Sequence, residues 1–391
     1  MKTRNNNPKV VISGYYGFDN CGDEAILLAM VHCLKNIKRD MRITVLSANP
    51  EKTRQLYGVG AVNRWNPFKV VLEILTCRLL ISGGGSLLQD VTSAKSPNYY
   101  LGVIRIALLL GKKVMIYSQG VGPLSAAKNR LGVSLALNRC HAITVRDERS
   151  AELLGELGIR RDTPVTCDPV MALCREDVDI GAVKEELREL GIFDNTHVGL
   201  SSLLLVAVRC WMDDRHILPV AEFLDAQVEE GWDVLLVPAH FPEDVDAIAM
   251  LSAKMMTRQF CIDRCLSAND FMALVSLADR VFSMRLHGLI CAMAMGTPMI
   301  GLSYDPKVDA FMEQSGLERY CLSFDDFDVE TAKRLMEELD NLPSQFRRER
   351  EARRLDLQDL AWETAEVAIW LLDAGRAANA ENAKAEKDAE G

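Results

Sequence analysis

Short apolar runs alternate with longer segments of helical character along most of the chain. The run KVVISG (9–14) is rich in β-branched residues and predicts a strand. The residues from Asp23 to Ile37 have the composition and length of a helix. Uninterrupted apolar runs of this length are typical of parallel strands that are buried on both faces. The same pattern predicts further strands before residue 170, at 42–48, 78–85, 113–120, 142–147 and 164–169.

A charged stretch at residues 172–196 interrupts the alternation, which then starts again. Strands that alternate with helices predict an α/β fold with doubly wound parallel sheets. We therefore expect two Rossmann-like domains facing a cleft, an N-terminal one at residues 1–175 and a C-terminal one at residues 176–344. The strands predicted for the second domain lie at 197–209, 232–240, 280–284 and 298–304.

The end of the chain has a different pattern. Residues 345–374 alternate apolar and charged positions in the way of a long amphipathic helix. Residues 375–391 are rich in Ala, Glu, Asn and Lys, and we expect a disordered tail because they offer little to bury. Five arginines interleave with glutamates in residues 346–354. A solvated helix face explains them, and attraction to an anionic membrane is a second interpretation.

Composition narrows the class of protein. A chain of 391 residues is longer than one hydrophobic core usually supports, so more than one domain is expected. A formal charge of −10 argues against a nucleic-acid partner, although not against a local basic pocket. The eleven cysteines are scattered and lie mostly in apolar runs, which predicts reduced thiols and no zinc site. Neither a signal peptide nor a membrane span is indicated, and we expect a cytoplasmic protein.

Ligands of open α/β sheets bind beyond the carboxyl ends of the strands, so the loops that follow the strands are the candidates. The first such loop, residues 13–25, contains glycines and ends in acidic and amide side chains. These side chains either cap the helix that follows or recognise hydroxyl groups and transfer protons. They are Asp19, Asn20, Asp23 and Glu24.

Two more loops end at the same edge of the predicted sheet. Three successive glycines, Gly83 to Gly85, expose backbone N–H groups before a helix, which suits an anion or a sugar hydroxyl, although a tight turn also uses glycine. The loop SQGVGPL follows the next strand. The candidate ligand-binding residues in the two loops are Gly84, Gly85, Ser86, Gln89, Asp90 and Gln119.

The segment RLHGLICAMAMGTPMI has the strongest chemical signal. Arg285 and His287 lie where a strand passes into a buried helix, whose N-terminus favours negative charge. Lys307 follows the next strand, and Arg146 ends a strand of the first domain. Arg146 binds a carboxylate or phosphate, or else pairs with an acidic neighbour in the sequence. Together these residues predict an anion site.

These motifs, taken together, resemble the polysaccharide pyruvyl transferase family, and within it the CsaB-type enzymes of bacterial cell-wall polysaccharides. The resemblance covers most of residues 9–330 and depends on the combination of ISGYYGFDNCGDEAIL, SGGGSLLQDVTSAKSPNYYL, SQGVGPL, VRDERS and SMRLHGLICAMAMGTPMIGLSYDPKVDAF. It implies a GT-B-like fold and phosphoenolpyruvate as donor. It further implies a 4,6-linked pyruvyl ketal on a sugar, typically N-acetylmannosamine, of a lipid-linked wall glycan, and such ketals anchor S-layer proteins.

The resemblance also implies roles for residues. The donor-binding positions of the family correspond here to Arg146, Arg285, His287 and Lys307, and Arg209 is a further candidate although proline usually follows it where this chain has Cys210. Ketal formation requires a general acid and a general base. His287 is the candidate acid, and the candidates for the base are Asp19, Asp23, Glu24 and Asp90. The candidates for binding the acceptor sugar are Asn20 and the residues named above in the two glycine-containing loops.

The expected co-substrates are phosphoenolpyruvate and a lipid-linked glycan, without another cofactor, a metal or a nucleic acid. We expect activity to survive exhaustive chelation. Peripheral contact with the inner membrane face and an oligomer are both compatible with the sequence. The alternative function is a GT-B nucleotide-sugar glycosyltransferase with Glu313 at the ribose. A non-catalytic glycan-binding protein is a third hypothesis, which leaves the cationic residues unexplained.

Overall fold

The structure is a computed structural model that describes residues 7–91, 96–192 and 202–389, with the side chains of these residues except residue 96 and residues 375–389. The contacts divide the chain into two compact units. The N-terminal unit comprises the residues up to Phe18, Ile26–Pro169 and the residues from Asp359, and the C-terminal unit comprises Asp19–Ala25 and Val170–Gln358.

The short segment Asp19–Ala25 is grouped differently from what the sequence predicts. The sequence pattern assigns it to the first domain, whereas its backbone pairs with the C-terminal unit. The N–H of Cys21 donates to the carbonyl of Ala239 at 2.8 Å, and the N–H of Phe241 donates to the carbonyl of Asp19 at 3.1 Å. These two hydrogen bonds form a short antiparallel pairing that sequence periodicity does not reveal.

The N-terminal unit is built around a parallel sheet of six strands, in the order β3-β2-β1-β4-β5-β6. The strands are β1 (Lys9–Ser13), β2 (Arg42–Ser47), β3 (Gly60–Asn63), β4 (Leu79–Gly83), β5 (Lys113–Gln119) and β6 (Ala142–Val145). The helices are α1 (Cys21–Ile37), α2 (Pro50–Tyr57), α3 (Pro67–Thr76), α4 (Ser96–Leu109), α5 (Ala127–Leu137) and α6 (Glu148–Glu156).

The C-terminal unit repeats this architecture with a second parallel six-stranded sheet, in the order β12-β11-β10-β7-β8-β9. Its strands are β7 (Ser202–Ala207), β8 (Trp232–Leu236), β9 (Phe260–Cys261), β10 (Arg280–Ser283), β11 (Met299–Ser303) and β12 (Cys321–Ser323). Its helices are α7 (Gly181–Glu189), α8 (Ile217–Glu229), α9 (Val245–Lys254), α10 (Ala268–Leu277), α11 (Leu286–Met295), α12 (Pro306–Gln314) and α13 (Val329–Asp340).

Local sequence signals fix where many of these helices begin. The side chain of Asn66 accepts a hydrogen bond from the N–H of Lys69, and proline occupies the first turn of α3. Ser267 and Asp270 form a reciprocal capping box at the start of α10. Each cap satisfies N–H groups that the first turn of a helix leaves without a partner.

The predicted α/β class with two doubly wound sheets is confirmed. The strand predicted at 164–169 is wrong, because it forms only an isolated bridge between Val145 and Val165. Prolines at both ends of that segment lack the N–H that a longer ladder needs. The part of the strand predicted at 197–209 that precedes residue 202 lies outside the described residues. The sequence pattern missed the short edge strands β3, β9 and β12.

A last helix, α14 (Ser344–Ala389), continues through the segment for which composition predicts a disordered tail. Ala, Glu and Lys, which dominate that segment, are strong helix formers, and this explains the helical backbone. Residues of α14 up to Gln358 belong to the C-terminal unit and the rest to the N-terminal unit. Among the described residues no helix is both long and apolar enough to cross a bilayer.

The strand orders determine where a ligand can bind in each unit. In both sheets the chain first winds outward in one direction and then returns to the middle to wind in the other, as in a Rossmann fold. The reversal lies between β1 and β4 in the N-terminal unit and between β10 and β7 in the C-terminal unit. The loops at the carboxyl ends of these four strands are therefore the positions that the fold favours for ligands.

We predict that Gly84→Ala destabilises the N-terminal unit by about 2 kcal/mol or more. Gly84 has φ of 55°, and a Cβ there would lie 2.1 Å from Cγ2 of Ile26. The shift of the urea midpoint measures the effect. Gly102→Ala in α4 is the matched control: its Cβ would meet nothing within 4 Å. It should stabilise by about 0.5–1 kcal/mol. A G84A protein with the parent's midpoint would contradict the prediction.

Candidate functional site

The RLHG segment lies at the carboxyl end of β10, beside the reversal point of the C-terminal sheet. Arg285 occupies the position that precedes the first turn of α11, and His287 lies within that turn. Gly296 ends the helix with a left-handed φ of 68°. The sequence predicted this strand-to-helix junction, and it directs both side chains to the edge where ligands of such sheets bind.

Arg285 forms a bidentate ion pair with Asp244. Its Nε lies 3.0 Å and 3.1 Å from the two carboxylate oxygens, and its Nη2 also contacts Oδ1. The carboxylate of Asp244 is fully buried, and the Arg285 side chain is 14% exposed. The sequence predicts that Arg285 binds an anionic ligand, whereas in this structure a buried carboxylate already balances its charge.

Asp244 also organises the loop that follows β8. Its Oδ2 accepts hydrogen bonds from the N–H of Ala239 at 3.1 Å and from the N–H of His240 at 2.9 Å. One buried carboxylate therefore connects the β8 loop to the start of α11. Sequence reasoning missed Asp244, because an aspartate in PAHFPEDVD looks like an ordinary loop residue.

His240 is a second imidazole at this edge that sequence reasoning missed. Its Nδ1 lies 3.0 Å from a carboxylate oxygen of Glu243. Burial lowers the pKa of His240 below its ordinary value, and this effect outweighs the nearby Glu243, which raises the pKa. His240 is consequently neutral at pH 7. The available signal was its place just after the apolar run WDVLLVPA.

The glycines beside His287 allow close packing. A Cβ on Gly22 would lie 2.2 Å from Nδ1 of His287, so the backbone of the first loop lies directly against the imidazole. A Cβ on Gly288 would lie 2.3 Å from the Oγ of Ser283, which donates to the carbonyl of Arg285 at 2.8 Å. The structure therefore brings His287 together with the Gly22 turn of the acidic loop inside the C-terminal unit.

Within that loop the capping interpretation holds for Asn20. Its Oδ1 accepts hydrogen bonds from the N–H groups of Gly22 at 3.0 Å and of Asp23 at 3.4 Å, at the start of α1. Asp19 adopts a positive φ of 58°, and Glu24 is largely buried. Asp19, Asp23 and Glu24 therefore lie in the same unit as His287, and the amide of Asn20 is used to hold the helix start.

Lys307 and Arg209 extend the cationic edge on the neighbouring strands. Lys307 lies in the first turn of α12, with its Nζ 3.4 Å from Oδ2 of Asp305. Arg209 follows β7, and its Nη1 donates to the hydroxyl of Tyr304 at 3.2 Å. Among the described residues Arg209 makes no ion pair, so its charge is not balanced by a carboxylate.

An aromatic pocket of about 250 Å³ opens beside Arg209. The guanidinium of Arg209 lies over the rings of Trp211 and Tyr304, at 5.1 Å and 5.3 Å from their centroids. The carboxylates of Asp305, Asp309 and Asp325 also line this pocket. Aromatic faces with hydrogen-bond acceptors suit a polar ligand that carries hydroxyl groups.

In the N-terminal unit, Arg146 lies just beyond the end of β6 and is almost fully buried. Its Nη2 donates to the Oγ of Ser86 at 3.0 Å, and its Nε and Nη1 lie 3.4 Å from oxygens of Asp147 and Asp168. The acidic pairing considered from the sequence is therefore present. A Cβ on Gly120 would lie 2.9 Å from Nε of Arg146, so glycine is needed for this approach.

Two of the acceptor-side candidates, Asp90 and Gln89, have local structural uses, whereas Gln119 is buried without one among the described residues. Asp90 accepts hydrogen bonds from the N–H groups of Ser125 and Ala126 before α5, and these bonds lower the pKa of Asp90. Gln89 accepts from the N–H of Val91 at 2.8 Å. Gln119 is fully buried, and within the described part of the chain its amide has no hydrogen-bond partner. The capping role makes Asp90 a poor base.

The glycine-rich loop retains the features that the sequence predicted. Gly84 and Gly85 both have positive φ, at 55° and 68°. The hydroxyl of Tyr16 donates to the carbonyl of Gly83 at 3.1 Å, which links the loop after β1 to the loop after β4. Both loops follow the two strands at the reversal point of the N-terminal sheet.

Along the C-terminal sheet, four adjacent strands therefore carry the polar edge in the order β11, β10, β7 and β8. The corresponding side chains are Lys307, Arg285 with His287, Arg209, and His240. Throughout the residues that the structure describes, no group of three or more His, Cys, Asp or Glu side chains has a metal-binding arrangement. The arrangement in the C-terminal unit can bind an anion and transfer protons.

We predict that Arg285→Ala lowers the free energy of unfolding by about 3–5 kcal/mol, because Asp244 then stays buried without its cation. Replacing both partners should lower the free energy of unfolding by clearly less than the sum of the two single changes. Chemical denaturation of the parent, the two single variants and the double variant measures this coupling. The control is Arg188→Ala, which removes an exposed pair with Glu185 and should cost less than about 1 kcal/mol. Additive effects at Arg285 and Asp244 would contradict the prediction.

Solved structures with a similar fold cover nearly the whole chain. The UDP-GlcNAc 2-epimerase from Neisseria meningitidis is 12% identical, with a TM-score of 0.60 over 93% of this chain and 99% of that one. A glycosyltransferase from Rickettsia africae is 13% identical, with a TM-score of 0.58 over 94% and 99%. At these identities the likeness shows the fold alone, and it confirms the GT-B-like class.

A comparison with curated proteins gives no match. The family model of the polysaccharide pyruvyl transferases matches residues 20–306, which is most of the chain and includes the RLHG segment and the glycine-rich loop, and the match ends one residue before Lys307. The chain therefore belongs to the polysaccharide pyruvyl transferase family.

Proposed function

We propose that this protein transfers the pyruvyl group of phosphoenolpyruvate to a sugar of a lipid-linked cell-wall glycan, forming a 4,6-ketal and releasing phosphate. N-acetylmannosamine is the proposed acceptor sugar. The observation that carries the proposal is the cationic edge at the reversal point of the C-terminal sheet, in a chain whose family transfers pyruvyl groups.

Phosphoenolpyruvate carries a carboxylate and a phosphate on three carbons, so its binding requires several cations close together. Arg209, Arg285 and Lys307 follow neighbouring strands, and the first turn of α11 adds the positive end of a helix. Of the three, Arg209 is the cation without a carboxylate partner among the described residues. We assign Arg209 a direct contact with the donor and Arg285 a role that includes holding the edge together.

The proposed reaction begins with protonation of the methylene carbon, which makes C2 electrophilic. One sugar hydroxyl adds to C2 and gives its proton to a base. The C2–O bond to phosphate then breaks, and the second hydroxyl adds to C2. One of the two hydroxyl protons balances the proton gained by the methyl group, and the other leaves with phosphate. The sum is one diol and one phosphoenolpyruvate to one ketal and one phosphate.

We assign the proton donor to His287, whose imidazole lies at the helix start between the Gly22 turn and the cationic edge. An imidazole changes charge near neutral pH and suits this task. Asp19, Asp23 and Glu24 remain candidates for the base, and neutral His240 joins them. Asp90 is the least suitable, because its capping hydrogen bonds favour the carboxylate without a proton.

In the N-terminal unit, we propose that Arg146 contributes to binding of the donor and that the Gly84–Ser86 loop binds the acceptor. Positive φ at Gly84 and Gly85 permits a close approach of backbone to ligand. The Oγ of Ser86 is already oriented by Arg146 at 3.0 Å. The remaining acceptor-side assignments of the sequence, Gln89 and Gln119, receive less support from their contacts.

One observation favours the alternative, a nucleotide-sugar glycosyltransferase. The pocket with Trp211 and Tyr304 offers aromatic faces in the loops where such an enzyme stacks a base. Two observations weigh against it. Glu313, the candidate for the ribose, lies in the last turn of α12, at the end away from the carboxyl edge. The pocket also contains Asp309, which would repel a diphosphate, whereas its other two aspartates, Asp305 and Asp325, pair with Lys307 and Arg215.

Incubation with phosphoenolpyruvate and a synthetic lipid-linked disaccharide should release phosphate and add a pyruvyl ketal detectable by mass spectrometry. UDP-sugars in place of phosphoenolpyruvate should give neither UDP release nor a new glycan. UDP release without ketal formation would instead establish the glycosyltransferase.

His287→Gln should lower kcat by about 100-fold or more, because a general acid contributes about that factor. Arg209→Gln should raise the KM for phosphoenolpyruvate by about tenfold or more, because one charge-assisted contact to the donor is lost. Steady-state phosphate release measures both. Lys254→Gln, an exposed change on α9, is the control and should change neither constant. Unchanged kinetics in both site variants, with the fold retained, would remove these residues from the mechanism.

A further inference from the structure

The helices α3, α4 and α5 form one layer on the N-terminal sheet and leave large apolar side chains exposed to solvent. Their inner faces pack into the core through Val70, Ile104 and Val133. Their outer faces carry Phe68, which is 86% exposed, and Leu109, which is 77% exposed. We call this outer surface the α3–α5 face. Its exposed apolar side chains are Trp65, Phe68, Leu72, Leu75, Leu109, Leu131 and Leu135.

Neighbouring helices of this face meet at two places. Leu108 and Leu109 of α4 and Leu135 of α5 line a shared groove of about 330 Å³. Just beyond the end of α4, the Nζ of Lys112 donates to the carbonyl of Leu75, in the last turn of α3, at 2.8 Å. Scattered exposed leucines are ordinary on a protein surface, whereas large exposed apolar side chains grouped on adjacent helices favour an interaction surface.

The charge of this face is opposite to that of the whole protein. The helices α3, α4 and α5 themselves carry four basic residues and one acidic residue, whereas the chain has a formal charge of −10. The basic residues are Lys69, Arg105, Lys128 and Arg130, of which Arg130 is paired with Glu156. The acidic residue, Glu73, is paired with Lys9. Arginines lie at the groove itself, because Arg105 and Arg139 line it together with the leucines.

We propose that the α3–α5 face docks the protein on an anionic lipid bilayer. Exposed aromatic and aliphatic side chains among basic ones are the features by which peripheral proteins bind such a surface. A symmetric dimer through this face fits poorly, because it would place two basic surfaces against each other. This docking proposal does not depend on the proposed reaction. A lipid-linked acceptor would, however, lie in the same bilayer.

This face is also a better candidate for membrane contact than the arginine-rich start of α14. There, Arg350 donates to the carbonyl of Gly296, Arg353 to the carbonyl of Gln314, and Arg354 pairs with Glu351. These arginines are used to hold the helix against the C-terminal unit. Lys69 and Lys128 on the α3–α5 face are, in contrast, exposed.

The test is co-sedimentation of the full chain with vesicles, without donor or acceptor. We expect binding to vesicles of equal parts phosphatidylglycerol and phosphatidylcholine, weaker binding as NaCl rises, and no binding to phosphatidylcholine alone. Two double variants, K69E/K128E and F68Q/L109Q, should each weaken binding by about tenfold or more.

The controls make comparable changes of charge and of exposed apolar side chains on the C-terminal unit. K184E/K254E alters the net charge equally, and L218Q/M256Q replaces exposed apolar side chains, so both should bind as the parent does. Phosphate release with a water-soluble acceptor checks that each variant is folded and active, which separates a failure of docking from a failure of the proposed function.

Three results would overturn the proposal. The first is no binding to anionic vesicles. The second is binding that the face variants leave intact while the controls weaken it. The third is a concentration-dependent dimer in sedimentation velocity that F68Q/L109Q abolishes, without vesicle binding, which would identify the face as a contact between copies of the chain.

Discussion

The buried ion pair between Arg285 and Asp244 is the interaction on which the candidate site of the C-terminal unit depends. Asp244 accepts the N–H groups of Ala239 and His240, while its carboxylate also holds Arg285 at the start of α11. Ala239 in turn accepts the N–H of Cys21 in the first loop. One carboxylate thus fixes the positions of two loops that follow different strands, and a third is attached through the backbone.

This constraint changes how the positive charge of the edge is distributed. Because the charge of Arg285 is balanced by the buried Asp244, Arg285 stabilises structure before it can contribute to binding an anion. Lys307 is partly balanced by Asp305, whereas the contacts of Arg209 are to aromatic rings, a hydroxyl and a carbonyl. An anionic ligand therefore gains the most binding free energy from Arg209, because its contact with Arg209 does not compete with an existing ion pair. The residue with the least support from sequence has the most available charge.

The sequence predicts what depends on periodicity and misses what depends on side-chain direction. Long apolar runs identified the central strands, since these are buried on both faces, while edge strands such as β3 and β12 are too short to produce such a run. The strand-to-helix position of Arg285 and His287 could be predicted for the same reason. The pairing of Asp244, the burial of Gln119 and the capping by Asp90 could not, because they arise from contacts between loops that are distant in sequence.

The net charge of the chain is likewise an average, and it does not show where on the surface the charges lie. A formal charge of −10 argues correctly against a basic surface over the whole protein, yet residues 67–139 have a large basic surplus. The surplus becomes meaningful only when the fold places α3, α4 and α5 side by side, so that their basic and apolar side chains share one surface. Exposed apolar groups on a protein surface are uncommon in large patches, and here lysine and arginine side chains lie among them. A net charge that argues against a nucleic-acid partner therefore leaves other anionic partners open.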